Sequence, residues 1–142
     1  MGKIKENFKM EGIVNKAKLN ILNQIKLKNL NFNFEADKNI YLLQRIDMKL
    51  NNVKITSPLI EIKKNKNSFF VNGQLLNDRE NFDIQKFKPI FTNLLDNIDL
   101  KKIEFSSKND FSFNINKKLK FNDFKVESNI NLNQLIFNLS LL

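Results

Sequence analysis

The feature that most constrains what this chain can fold into is a strand alternation that is interrupted and restored in the same way five times. Each copy reads apolar-x-apolar, two polar residues, then apolar-x-apolar, usually with one more alternating position that is apolar or Ser. The copies are Ile25, Leu27, Leu30, Phe32, Phe34; Met48, Leu50, Val53, Ile55, Ser57; and Ile98, Leu100, Ile103, Phe105, Ser107. Two more follow: Leu119, Phe121, Phe124, Val126, Ser128 and Ile130, Leu132, Leu135, Phe137, Leu139. The doublets are Lys28-Asn29, Asn51-Asn52, Lys101-Lys102, Asn122-Asp123 and Asn133-Gln134. In a plain strand one extra residue throws every later side chain to the other face, which would put Phe and Ile in water. A β-bulge at the doublet removes the conflict, because two residues then oppose one and the apolar set stays on one side. A two-residue turn is the alternative, for which Asn51-Asn52 is suited and Lys101-Lys102 is not. Bulges are expected in most copies, and they curl a sheet as they twist it.

The alternation begins at Phe8, Met10, Gly12 and Val14, resumes at Ala17, Leu19 and Ile21, and recurs almost to the last residue. With only 3 Gly and 2 Pro, the turns must rely on Asn, Asp, Lys and Ser. Hairpin connections are predicted at Asp37-Lys38-Asn39, Lys63 to Asn67, Lys108-Asn109-Asp110 and Asn116-Lys117-Lys118. The second of these joins two short strands, Ile60-Ile62 and Phe69-Leu75, with Pro58 at a strand start where its missing N–H does no harm. One stretch changes period. Ile84, Phe87, Phe91, Leu94, Leu95 and Ile98 fall at helical spacing, which predicts a short helix near residues 88–97, preceded by a loop at Asn77 to Asn81. The expected fold is therefore mainly β: a curved antiparallel meander sheet, a β-groove, with bulged strands and that one short helix. Residues 1–142 read as a single segment, with a front sheet over 4–76, a helical insert over 82–97 and a back sheet over 98–142. Because the last apolar strand runs to Leu141-Leu142, the segment is expected to be part of a longer protein.

The chain lacks His and Cys, and with them the commonest general base, the commonest metal ligand and the strongest nucleophile. Its carboxylates lie in turns or on the polar phase of strands, where solvation accounts for them. No Gly-rich phosphate loop surrounds Gly2, Gly12 or Gly73, and no cluster has calcium-loop spacing. Neither an enzyme nor a cofactor- or metal-binding protein is expected. The formal charge of +9 raises nucleic acid as a partner. The excess is almost all Lys, with only Arg45 and Arg79 able to make bidentate forks, and the lysines are spread along the chain. Nucleic acid is not the expected partner; an anionic membrane or head-group surface suits scattered Lys better. Met1 to Leu22 has no continuous apolar run, so it reads as neither a signal peptide nor a membrane span.

What remains is the apolar phase itself. Its candidate contact residues are Leu27, Phe32, Phe34, Ile55, Ile103, Phe105, Phe113, Phe121, Val126 and Phe137. Such a face is ordinarily the core of a sandwich or barrel. Here many strands share one apolar face and only one short helix is available to lie over them. Either the sheet folds onto itself or something else covers the face. Phospholipid acyl chains are an adequate cover, since each buried methylene contributes about 0.8 kcal/mol.

The rhythm of strand, polar pair, strand, Ser, strand, then x-V-x-G is carried by Phe8 to Val14, Ile25 to Phe34, Met48 to Ser57 followed by Ile60-Glu61-Ile62, and Phe69-Phe70-Val71-Asn72-Gly73. It resembles the AsmA-like group of bacterial envelope proteins, the TamB and YhdP type, and is similar to the repeating β-groove lipid-transfer proteins of eukaryotes. The resemblance implies a taco-like groove, apolar inside, that guides phospholipid between the membranes of a Gram-negative cell. It further implies a place on the periplasmic face of the envelope, with an inner-membrane anchor supplied by another part of the protein. Two alternatives stand beside it: a structural or protein-binding β scaffold closed on itself or by a partner, and a leucine-rich-type solenoid, since each copy also contains L-x-x-L-x-L. The copies begin at 25, 48, 98, 119 and 130, a series too irregular for that solenoid.

Overall fold

A computed structural model of the chain describes residues 8–21, 25–51, 53–82 and 98–139. These residues form seven strands: β1 (Lys9–Ile21), β2 (Ile25–Asp37), β3 (Ile40–Leu50), β4 (Val53–Lys64), β5 (Ser68–Phe82), β6 (Ile98–Asn116) and β7 (Phe121–Leu139). Period-two alternation of Ile, Leu, Val and Phe with Lys, Asn, Glu and Ser is what makes them strands, because each such run can bury one face of a pleated ribbon. Every strand pairs antiparallel with its neighbour in sequence, giving one seven-stranded meander in the order β1 to β7. All the substantial contacts between strands are between such neighbours. The described residues therefore make a single layer, with no strand of the sheet laid over another.

Four of the five polar doublets are bulges. Asn29 is the extra residue on β2, Asp123 on β7, Lys101 on β6 and Asn133 on β7, each placed by a shift in register. The fifth, Asn51-Asn52, is a hairpin connection: Leu50 pairs with Val53, and the Asn51 amide donates to the carbonyl of Lys26 at 3.1 Å. The same device occurs at two doublets outside the five copies, where Lys16 is the extra residue on β1 and Arg45 on β3. Lys16, Asn29, Arg45 and Asp123 all have left-handed backbones, with φ of 54°, 50°, 52° and 53°. Each is the second residue of its doublet. A left-handed residue at a bulge sharpens the local twist while keeping the apolar phase in step. Asn31 links two of these bulges, its Oδ1 accepting from the Lys16 amide at 2.8 Å and its Nδ2 donating to the Asn29 carbonyl at 2.9 Å.

Three local expectations are corrected. Lys108-Asn109-Asp110 lies inside β6, not in a hairpin, because cross-strand partners on β5 satisfy its polar groups: Asn109 Nδ2 donates to the Leu75 carbonyl at 3.2 Å, and Gln74 donates to Asp110 at 2.7 Å. Asn77 to Asn81 continues β5, with a register shift between Asn77 and Glu80 in place of a loop. Pro58 sits within β4, where the register shifts between Thr56 and Ile60, and a bulge is the one place in an inner strand that tolerates a missing N–H. The other three predicted connections stand where expected, and β5 pairs directly with β6, so front and back form one continuous sheet. The helix expected near 88–97 and the insert after residue 82 lie outside the described residues.

Candidate functional site

Strand alternation and register put all ten candidate residues on one face. On β2, Leu27 pairs with Leu19 and Leu50, Phe32 with Val14, and Phe34 with Gly12 and Leu43. Ile55 on β4 pairs with Met48. On β6, Ile103 faces Leu135 and Phe105 faces Leu132, while Phe113 faces Val71. On β7, Phe121 pairs with Ile115, Val126 with Phe111, and Phe137 with Leu100. Apart from Gly12, and Glu80 opposite Phe105 on β5, the partners are larger apolar residues, which is the pairing expected of a largely continuous apolar surface. The structure brings Phe113 and Phe121 together, with ring centroids 5.3 Å apart, and adds Phe111 and Phe124 at 6.0 and 6.1 Å from Phe113. Leu27, Ile55 and Phe137 lie toward the other end of the sheet and take no part in that cluster.

The two glycines in the sheet are explained by this face. The ring of Phe34 lies where a Cβ on Gly12 would sit. At Gly73 an added Cβ would come within 2.8 Å of the Ile60 side chain and 3.1 Å of the Phe111 ring. Glycine is the residue over which a neighbouring aromatic can close on the backbone.

Burial on this face falls from the centre outward. Ala36, Ile46, Val53 and Val71 are buried, all at 4–6% exposure, by neighbours within the same layer. Along β7 the same face is open: Phe121 is 68% exposed, Phe124 67%, Ile130 58% and Phe137 45%. Met10 and Leu19 on β1 are also exposed. A run of large apolar side chains left open in this way is far from the scattered single residues of an ordinary surface.

A polar band crosses the face at mid-height, and sequence reasoning saw only part of it. Asn77, buried on β5, donates from Nδ2 to the Phe105 carbonyl at 3.0 Å and accepts a short hydrogen bond from the Ser107 hydroxyl. Asn109 Nδ2 reaches Ser107 Oγ at 2.8 Å. Ser57, 2% exposed, donates to the Leu59 carbonyl at 3.3 Å. No buried side-chain polar atom among the described residues lacks a partner, so the band is a satisfied network inside an apolar surface. Ser at the fifth position of three copies was the available signal for it.

The reverse face is mainly polar and solvated, with Ile13, Leu59 and Ile136 exposed on it. Asn72 donates to Glu61 at 3.4 Å, Asn114 to Asp123 at 3.1 Å, and exposed ion pairs join Lys9 to Glu11 and Lys63 to Glu61 at 3.3 and 3.2 Å. Such pairs add little. Asp37 caps the β2–β3 turn by accepting from the amides of Asn39 and Ile40, both at 2.7 Å, and these hydrogen bonds hold its carboxyl below the usual carboxylate range. Among the described residues no group of His, Cys, Asp and Glu is placed to hold a metal ion.

No protein-family model, curated protein or solved structure matches the chain.

Proposed function

We propose that this chain is a non-enzymatic β-groove segment that binds phospholipid acyl chains on its apolar face and passes them along the cell envelope. The observation that carries the reading is the open face itself: seven strands present Phe, Ile and Leu on one side, and no other described strand lies over them. An acyl chain supplies the missing layer. Burying about ten methylenes gains of the order of 8 kcal/mol before the chain's own loss of freedom, enough for retention and little enough for exchange. The recurrent bulges serve the same end by bending the strands so that a flat sheet becomes a trough. The strand rhythm shared with the AsmA-like group supports a place on the periplasmic face of the envelope, in a longer protein anchored in the inner membrane.

Photo-crosslinking tests this directly. A phospholipid with a photoactivatable acyl chain should label the face of Phe105, Val126 and Phe137 and leave the face of Glu61, Gln74 and Glu127 unlabelled. Equal labelling of both faces would remove the proposal. A second reading, a scaffold whose face is closed by a partner chain, draws on the outer edges of β1 and β7, which no other described strand pairs with. Phe105→Asp separates the two: a lipid groove keeps its fold and loses lipid, whereas a protein-covered core unfolds.

A further inference from the structure

The meander topology collects three hairpin turns, β2–β3, β4–β5 and β6–β7, at one end of the sheet. Their lysines, dispersed in sequence, share that end. Lys38, Lys64, Lys66, Lys117, Lys118 and Lys120 are all exposed, and neither the Lys9–Glu11 nor the Lys63–Glu61 ion pair involves them. The one carboxylate in these turns, Asp37, is engaged with backbone amides.

The β4–β5 and β6–β7 hairpins reach beyond the β2–β3 turn. Along the row Ala36, Tyr41, Ile62, Val71 and Phe113 the strands are in register; β6 continues beyond it to Asn116, level with Ser68 on β5, whereas β2 stops at Asp37. The β6–β7 tip is held by Asn116, whose Oδ1 accepts from the amides of Lys118 and Lys120 at 2.9 and 3.0 Å. At that tip stands Leu119, 77% exposed and with a left-handed φ of 58°. Asn or Gly would fit this backbone better, and a polar residue would fit the exposure better. Among the described residues nothing covers a leucine at the position. Phe121 and Phe124, also exposed, continue the apolar path from the tip onto the open face.

The geometry points to docking of this end on an anionic phospholipid bilayer, with the lysines at the head groups and Leu119 entering the interface. Charge complementarity fixes the sign of the partner, and the leucine fixes its kind. A nucleic acid would match the lysines but offer Leu119 nothing to enter, and neither arginine lies in these turns. The inference does not rest on the groove reading, since a chain carrying no lipid could dock in the same way.

Co-sedimentation of the full chain with vesicles of phosphatidylcholine containing phosphatidylglycerol, and with phosphatidylcholine alone, tests it. Binding is expected only to the anionic vesicles, weakening as salt rises and by about fivefold for each of Lys117→Gln and Lys118→Gln. Leu119→Asn, which suits the backbone and should leave the thermal midpoint unchanged or higher, weakens binding by about tenfold. Lys49→Gln with Lys54→Gln, at the opposite end, leaves binding intact. Equal binding to both vesicles, no binding, full binding by Leu119→Asn, or equal loss from the Lys49/Lys54 pair would each overturn the proposal. So would competition by duplex DNA that is insensitive to Leu119→Asn.

Discussion

Asn29 shows how much of this fold turns on single backbone positions. Its left-handed φ lets β2 absorb an extra residue and keep Leu27 and Leu30 on one face. Asn tolerates that conformation, and a β-branched residue does not. Asn29→Val is expected to lower stability by about 1–3 kcal/mol in denaturant unfolding, whereas Lys16→Asn, at a bulge whose native residue is less suited, should be neutral or stabilising. Gly12 imposes a different constraint. Gly12→Ala meets the ring of Phe34 and should cost about 1–3 kcal/mol, most of it recovered when Phe34→Leu is added. Asp37 makes a pH-dependent contribution. Because hydrogen bonds lower its folded carboxyl below the unfolded value, the unfolded chain binds more protons as acid is added. Its contribution is present above the ordinary Asp range, about pH 4, and is lost as pH falls through the lower folded value. An NMR titration should place Asp37 below the ordinary Asp value, and Asp37→Asn should remove this part of the acid sensitivity.

At the level of strands, the polar doublets were legible because only a bulge or a two-residue turn keeps the apolar phase in step on both sides of an extra residue. Which of the two occurs was not legible from phase alone. Leu50 and Val53 share a face whether Asn51-Asn52 is a bulge or a turn, and Asn suits the left-handed backbone of either. The bulge at Lys16 shows in the sequence only as the step from Val14 to Ala17, and neither Lys16 nor Arg45 is a residue type that marks a left-handed backbone. Lys108-Asn109-Asp110 looked like a turn for a sound reason: a strand there must place Asn109 on the apolar face. That cost is offset by Leu75 and Ser107, on a partner strand and two residues away, and a linear pattern does not carry such pairings. The polar band makes a test of its own. Asn77→Leu removes the acceptor of the Ser107 hydroxyl and one donor to the Phe105 carbonyl, and should cost about 1–3 kcal/mol despite adding apolar surface.

For the whole molecule, the sequence raised the question of what covers the apolar face, and it placed all ten candidate residues on that face. It could not say whether the strands would fold over one another, because that depends on how the layers close and not on the period of any strand. Among the described residues they form one open layer, and the proposal is that a lipid supplies the cover. Native mass spectrometry of the intact chain, purified without detergent from cells, measures that cover most directly. The account predicts protein carrying phospholipid-sized adducts that are lost on mild delipidation and lost with Phe105→Asp while the far-ultraviolet circular dichroism of the strands persists. A bare chain at its formula mass, monomeric and cooperatively folded without any adduct, would contradict it.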